Sequence, residues 1–427
     1  DVKNTVIGGL AGDAITSGGN NTFVGYQAGS SVQTGTSNTA VGNVAYELGT
    51  GTANTCIGHN CGSAALTGND NTLMGVSAGA ALTSGTGNTL LGRIAGAAIT
   101  SSSDYNVAIG YAALDALTSG SHNNIAIGKH ALGGEDISQD CIAIGTNALL
   151  VQNGTGGGSI NLAIGKDAGK AVSTGNYGVM VGHEAGMTVT DQSGTTAVGY
   201  TALKLATGFY NTAVGAAAAP ELAGGQSNVA VGGLAMFNAD GDEDENTAIG
   251  ATALYSLDDD AANGNVALGF QAGRYYETTP AGAPSPDGAL TKAVNSIYIG
   301  HSSCGIHATS ADNEIVIGYN AVGNGADSFT MGNAMTAALH CADTSIAALS
   351  DKRIKRDIND NAVGLDFIEK LATVNYKRLN PADWPTEIGL GAYREQVYEN
   401  QLVSHAVEAA DEVWEDAIVQ EAREATE

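Results

Sequence analysis

One five-residue phrase recurs along most of this chain, and its period constrains the fold more than any other feature. The phrase is Asn211-Thr212-Ala213-Val214-Gly215, and Ala218 follows three residues later. It occurs in 19 copies, whose glycines lie at positions 8, 25, 42, 58, 75, 92, 110, 128, 145, 165, 182, 199, 215, 232, 250, 269, 300, 318 and 332. Most successive spacings are 16 to 18 residues. A fixed period of this length is typical of solenoids and fibres.

Each position of the phrase has a physical interpretation. The residue before the glycine is aliphatic or Met in all 19 copies, the third residue after it is Ala in 16, and the fourth before it is Asn in 13. The alternation Asn-Thr-x-aliphatic predicts a short strand with one buried face. The glycine permits a turn that a side chain would block, and stacked Asn side chains can form hydrogen-bonded ladders. The Gly-, Ser- and Thr-rich stretch after Ala, such as residues 82–87, is predicted to be the outer turn.

The composition favours a thin core that is extended by stacking. The 427 residues include 60 Gly, with only 5% aromatic and 14% charged residues. The repeated aliphatic residues form a narrow seam that becomes dry only when successive windings and neighbouring chains close over it. We therefore predict an all-β repeat solenoid, a parallel β-roll or β-helix that assembles as a trimer. At one coil per repeat its length is on the order of 90 Å.

Charge and hydropathy exclude several classes of partner. The net charge of -27 argues against binding to nucleic-acid phosphates. No apolar run approaches the length of a membrane span, so membrane insertion is not expected. The five Cys are sparse and do not indicate a disulfide scaffold; Cys56 and Cys61 occupy slots otherwise filled by small residues and are interpreted as small buried hydrophobes. No cofactor is predicted.

Two kinds of insert interrupt the repeats. Acidic runs at 240–245 and 258–260 are interpreted as solvated turns, with a calcium loop as the alternative, although the EF-hand pattern is absent. Between Gly269 and Gly300 the spacing grows to 31 residues and a Pro-rich stretch begins after Tyr275 and Tyr276. This stretch should protrude, and the two Tyr are candidates for receptor contact. Alternatively, they pack back on the solenoid.

A group of possible metal ligands follows this insert. His301, Cys304 and His307 have the spacing His-x2-Cys-x2-His. On a three-fold axis such residues could bind a transition metal, but the spacing is not a standard zinc signature and surface histidines are the alternative. No metal site is predicted, and these three residues remain weak candidates.

The composition changes near residue 337, where the repeat ends and charged and large residues appear. We therefore divide the chain into a solenoid at 1–335, a linker at 336–349 and a small α+β domain at 350–427 that ends in a helix. The final segment has apolar residues at helical intervals with acids between them, which is typical of a helix with partner helices.

Motifs of ordinary active sites are absent from the sequence, with one exception in the last domain. The segment Leu349-Ser350-Asp351-Lys352-Arg353-Ile354-Lys355 places a Ser and a Lys five residues apart. A Ser hydroxyl needs a base to become a nucleophile, and a Lys of lowered pKa can serve.

This segment resembles the opening of the endosialidase-type intramolecular chaperone domain that terminates many phage tail spikes and fibres. Later elements at 374–376 and 388–397 are also similar to that family. The resemblance implies a domain that drives trimer assembly and is then cut off between Leu349 and Ser350, with Ser350 as nucleophile and Lys355 as base. The repeats resemble those of phage and marine-virus fibres and, more distantly, the heads of trimeric autotransporter adhesins, which are left-handed parallel β-rolls.

Together these resemblances imply a homotrimeric tail fibre or tail spike, located on a virion and extracellular. It would attach to a glycan or protein of the host cell surface and contact other tail or baseplate proteins. Its only expected enzymatic activity is a single-turnover serine–lysine autoproteolysis. The alternatives are a trimeric bacterial surface adhesin, an ice- or other surface-binding repeat protein, and a glycan depolymerase, which would need paired carboxylates along a groove.

Overall fold

The computed structural model describes residues 3–116, 118, 120–134, 139–153, 159–275, 288–307 and 311–336. These residues belong to a unit that spans Asp1–Leu339. The predictions for Tyr276, Leu349, Ser350, Lys355 and the α+β domain at 350–427 lie outside the described residues.

The described residues form short strands and turns and contain no helix, so no helix among them could cross a bilayer. The strands are β1 (Thr5–Ile7), β2 (Thr22–Val24), β3 (Thr39–Val41), β4 (Thr55–Ile57), β5 (Thr72–Met74), β6 (Thr89–Leu91), β7 (Val107–Ile109), β8 (Ile125–Ile127), β9 (Ile142–Ile144), β10 (Leu162–Ile164), β11 (Val179–Val181), β12 (Thr196–Val198), β13 (Thr212–Val214), β14 (Val229–Val231), β15 (Thr247–Ile249), β16 (Val266–Leu268), β17 (Ala293–Val294), β18 (Ile297–Ile299), β19 (Ala311–Asp312), β20 (Ile315–Ile317) and β21 (Phe329–Met331).

The strands stack in the order of the sequence repeats. Nineteen of them form one sheet in which each strand pairs in parallel with the strand of the next repeat. Thr5 lies opposite Thr22 and Ile7 opposite Val24, so equivalent positions of the phrase meet in register. Each of these strands ends at the residue before one of the 19 repeated glycines. The predicted parallel β-solenoid is therefore confirmed, with β17 and β19 as a separate pair.

Columns of small and apolar side chains make the core of each coil. Except in the first and last coils, the middle residue of the strand is buried, as at Phe23 and Ala40, and so is the Ala three residues after the glycine, as at Ala28. A further buried column comes from the stretch that was predicted to be the outer turn. Leu82 in this stretch is fully buried, so the prediction is wrong for this residue. Such side chains widen a core that Ala alone would leave narrow.

The aliphatic residue before each glycine lies on the outer face of the strand, not in the coil interior. Ile7, Met74 and Leu268 are 61%, 43% and 46% exposed, and the remaining members of the column are also at least partly exposed. Alternation along a strand sends neighbouring side chains to opposite faces. Since Asn and the middle residue face inward, Thr and the aliphatic residue face outward. Successive windings of the single chain therefore leave the aliphatic seam uncovered.

The repeated glycine lies where two coils approach most closely. Gly215 has φ of +143°, a conformation that L side chains rarely adopt, and a Cβ placed on it would lie 2.5 Å from the carbonyl oxygen of Gly232 in the next coil. The same conflict with the next glycine recurs along the column, for example from Gly8 to Gly25 at 2.4 Å. The glycine is thus required by both the backbone conformation and the close approach of the coils.

Substitution of Gly215 by Ala should destabilise the solenoid. The backbone conformation alone should cost about 1–3 kcal/mol, and the contact with Gly232 adds to it. The matched control is Gly19→Ala, where φ is not in this range and no atom lies within 4 Å of the new Cβ. Thermal unfolding should show a lower midpoint for Gly215→Ala and an unchanged or slightly higher one for Gly19→Ala. Equal midpoints for the two variants would contradict this assignment.

Buried Asn side chains connect most coils to the next, as the sequence predicts. Asn88 Oδ1 accepts a hydrogen bond from the backbone N–H of Asn106 at 3.0 Å, and Asn88 Nδ2 donates to the carbonyl of Ser103 at 2.8 Å. The main bonds of the ladder thus join side chain to backbone, and side-chain pairs such as Asn106 Nδ2 to Asn88 Oδ1 at 3.1 Å add to them. The Asn side chain satisfies backbone groups that the short strands leave unpaired.

Replacing Asn88 by Ala should unpair two buried backbone groups in the next coil, the N–H of Asn106 and the carbonyl of Ser103. Each should cost about 1–3 kcal/mol. Asn43→Ala is the control, because its side chain is exposed. Denaturant unfolding should give a clearly lower midpoint for Asn88→Ala only. Wild-type stability in both variants would rule out the ladder as a stabilising element.

Candidate interaction surface

The outer face of the nineteen-stranded sheet is a continuous uncharged surface, which we call the outer face. It consists of two columns, the first and third residues of each strand in this sheet. The first column contains Thr, Val, Ile, Leu and one Phe, and the third contains Ile, Val, Leu and Met. Neither column contains a charged residue, although the chain carries a net charge of -27. The third column is apolar along its whole length, and an exposed apolar stripe of this kind is typical of a site of association.

In many coils the residue directly after the repeated glycine, at the end of the outer face, is aromatic, His or basic. We call this column the aromatic row. His183 and Tyr200 on successive coils stack with ring centroids 5.6 Å apart. Phe270, His301 and Tyr319 form a second group in the same column, with ring centroids 5.0 Å apart for Phe270 and His301 and 5.3 Å apart for His301 and Tyr319. Within each group the rings contact one another from coil to coil.

This row was missed by the sequence analysis, although a periodic signal was available. The residue after the glycine is aromatic, His or basic in eleven copies: Tyr26, His59, Arg93, Tyr111, Lys129, Lys166, His183, Tyr200, Phe270, His301 and Tyr319. The phrase is defined by its constant positions, and this position varies in chemical type from copy to copy.

Tyr275 lies at the base of the Pro-rich insert. The guanidinium carbon of Arg274 lies 4.6 Å from the centre of the Tyr275 ring and 4.5 Å from the centre of the Tyr255 ring. Tyr275 also forms an antiparallel bridge with Ala289. Tyr255 stacks in turn on Phe237 at 5.3 Å. In the described residues, Tyr275 is therefore half-buried and engaged with the solenoid.

His301, Cys304 and His307 are not brought together as one group of ligands. His301 is exposed in the aromatic row, whereas Cys304 is buried in the coil and His307 is exposed again. His301 Nδ1 lies 3.0 Å from the Ser302 hydroxyl. Among the residues that the structure describes, no group of three or more His, Cys, Asp or Glu is arranged to hold a metal ion.

The acidic insert is solvated only in part. Asp242 and Glu245 are exposed, as predicted for a solvated turn, but Glu243 is fully buried, so the prediction is wrong for this residue. Burial raises the pKa of the Glu243 carboxyl, and the negative charges of Asp240 and Asp260 raise it further. Its Oε2 accepts a hydrogen bond from the Gly241 N–H at 3.1 Å.

A second buried carboxyl replaces Asn in the ladder. Glu314 is fully buried, its Oε1 accepts from the Gly325 N–H at 3.0 Å, and its Oε2 accepts from the Tyr298 hydroxyl at 3.3 Å. Burial raises the pKa of Glu314. By contrast, the hydrogen bond from Lys204 lowers the pKa of Glu184 on the surface.

No family model, curated protein or solved structure matches this chain. Interpretation of the outer face therefore depends on its own geometry.

The raised pKa of Glu314 predicts a pH dependence of stability. The folded state binds this proton more tightly than the unfolded state, so stability is lost as the pH rises through the folded pKa and regained on acidification. Between pH 7 and pH 5 the unfolding temperature should rise. The pKa of Glu184 is lowered, so its stabilising negative charge is lost only when the pH falls to the ordinary carboxyl pKa of about 4 or below.

Glu314→Gln should reduce this rise, because the amide cannot titrate. Other buried carboxyls such as Glu243 should preserve part of it. The measurement is the thermal midpoint of both proteins at pH 7, 6 and 5. A wild-type midpoint that is flat or falls over this range would contradict the prediction, as would a variant with the same slope as the wild type.

Proposed function

We propose that this protein is a homotrimeric viral tail fibre or tail spike that attaches a virion to the surface of its host cell. The observation that carries the proposal is the outer face, which runs unbroken along the nineteen-stranded sheet and which the single chain does not cover.

Copies of the same chain are the occupants that best suit this face. Two chains of charge -27 repel one another, and the repulsion is smallest where the contacting surfaces carry no charge. A column with a constant period can pair with an identical column over its whole length, and closed symmetry is the usual outcome for identical chains. The resemblance to adhesin heads and viral fibres supports three copies.

The remaining properties suit attachment. A stacked solenoid is stiff, and three identical rows of rings and basic groups could engage a repeated glycan or protein receptor with avidity. Tail or baseplate proteins would be the other partners, and the location would be the virion exterior.

The C-terminal segment supplies the assembly step of the proposal. The domain at 350–427 would align three chains before the slow pairing of the strands begins. The Ser350 hydroxyl, with Lys355 as its base, would then attack the carbonyl carbon of Leu349, so that the acyl group moves to the Ser350 oxygen as an ester and the Ser350 nitrogen becomes a free amine. Water would hydrolyse this ester, which leaves a carboxylate on Leu349 and restores the Ser350 hydroxyl. The cut would release the template and leave a kinetically trapped trimer.

A bacterial trimeric adhesin, or another surface-binding repeat protein, is the second candidate. The Thr column favours it, because Thr occupies the first position of six successive strands from β1 to β6. At a spacing of about 4.8 Å these Thr residues form a regular array whose hydroxyls could match a repetitive surface.

Sedimentation tests the role of the outer face. The wild type should sediment at three times the chain mass of 42.7 kDa, or three times the mass of the fragment if it is cleaved. The double variant Ile127→Glu/Ile144→Glu adds two charges to the outer face and should dissociate. The control Ser84→Glu/Ser101→Glu adds two charges at exposed turn positions and should remain trimeric. A monomeric wild type would contradict the trimer and favour the surface-binding alternative.

A denaturing gel tests autoproteolysis. The wild-type chain should give fragments 1–349 and 350–427, whereas Ser350→Ala and Lys355→Ala should give one uncut band. An uncut wild type would remove the protease role and leave the assembly role. Cleavage that persists in Ser350→Ala would assign the cut to another nucleophile.

A further inference from the structure

Two cysteines occupy facing positions inside one coil. Cys56 is the middle residue of β4, in register between Ala40 and Leu73 of the neighbouring strands. Cys61 lies three residues after Gly58, in the slot that holds Ala in most coils. These two slots belong to the buried columns of the core, and both cysteines are fully buried.

The two thiols share one small space. The Cys61 thiol donates a hydrogen bond to the carbonyl of Leu73 at 3.3 Å, and Leu73 is the residue paired with Cys56 in the neighbouring strand. Gly62 borders this space, and a Cβ on Gly62 would lie 2.8 Å from Cys56 Sγ. The absence of a side chain at Gly62 leaves room for both sulfur atoms.

We propose that Cys56 and Cys61 form an intrachain disulfide that closes the corner of this coil. The two thiols give up two electrons and two protons to a small-molecule disulfide such as oxidised glutathione, which leaves as two thiols. The bond would hold the strand end, the glycine turn and the start of the next segment together. This inference does not depend on the trimer or on viral attachment.

Burial determines when this reaction occurs. The contact with Cys61 and the burial of Cys56 raise the pKa of the Cys56 thiol, and the thiolate is the reactive form. The two thiols should therefore be oxidised before the coil folds around them. Burial in the folded coil then shields the disulfide from reductants.

The test uses the full-length chain produced in an oxidising secretory compartment and equilibrated with oxidised and reduced glutathione. The chain is denatured in iodoacetamide, digested and analysed by mass spectrometry with and without prior reduction. We expect the peptide that contains Cys56 and Cys61 to be unalkylated and two hydrogen masses lighter before reduction. Cys141, which is buried in a different slot, should be alkylated.

Cys56→Ala and Cys61→Ala are suitable variants because Ala is common in both slots, as at Ala40 and Ala45. In each variant the remaining thiol should be alkylated, and refolding from denaturant in the presence of reductant should lower the unfolding temperature of the wild type only. Alkylation of both thiols in the wild type would overturn the proposal. So would a glutathione adduct in place of the internal bond, or protection of Cys61 that persists in Cys56→Ala.

Discussion

Backbone hydrogen bonds between successive coils hold this solenoid together, and they set how closely the coils approach. The Gly25 N–H donates to the Ile7 carbonyl at 2.8 Å, and the Gly12 N–H donates to the Ala28 carbonyl at 3.0 Å, so bonds run in both directions between two coils. This spacing leaves no room for a Cβ at the repeated turn glycine. Where strands of two or three residues leave backbone groups unpaired, the Asn side chains pair them.

Because side chains alternate along each strand, the sheet also has an outer face, which the single chain does not need for its own core. The buried columns are the middle strand residues, the Ala slot and the apolar residues after it. Yet all 19 copies keep an aliphatic residue or Met on the opposite side of the strand. Internal repetition of an apolar residue at an exposed position indicates a second role. In the proposed trimer, coverage by other copies of the chain would be this role, since apolar surface removed from water stabilises an assembly by about 25 cal/mol per Å².

Most of the fold follows from the sequence because its determinants are periodic. The period predicts the stacking, the glycine column predicts the turn, and the Asn column predicts the ladder. The alternation of side chains does not determine which face of the strand is buried. The pattern Thr-x-aliphatic fits a strand that buries its middle residue and equally one that buries Thr and the aliphatic residue. Leu82 and Glu243 were predicted to lie in exposed turns because the residues around them in the sequence are polar. Both are buried, and their burial depends on contacts with the coils above and below. The aromatic row was not predicted because the residue type at this position of the repeat varies along the column, for example from Tyr to His to Arg.

The central claim is that the outer face is dry in the assembled protein. The most direct measurement is an electron cryomicroscopy map of the full-length chain at side-chain resolution. The account predicts three solenoids around one axis, with the columns that contain Thr212 and Val214 buried between chains. A map of an isolated solenoid, or of an assembly in which these columns face solvent, would contradict it.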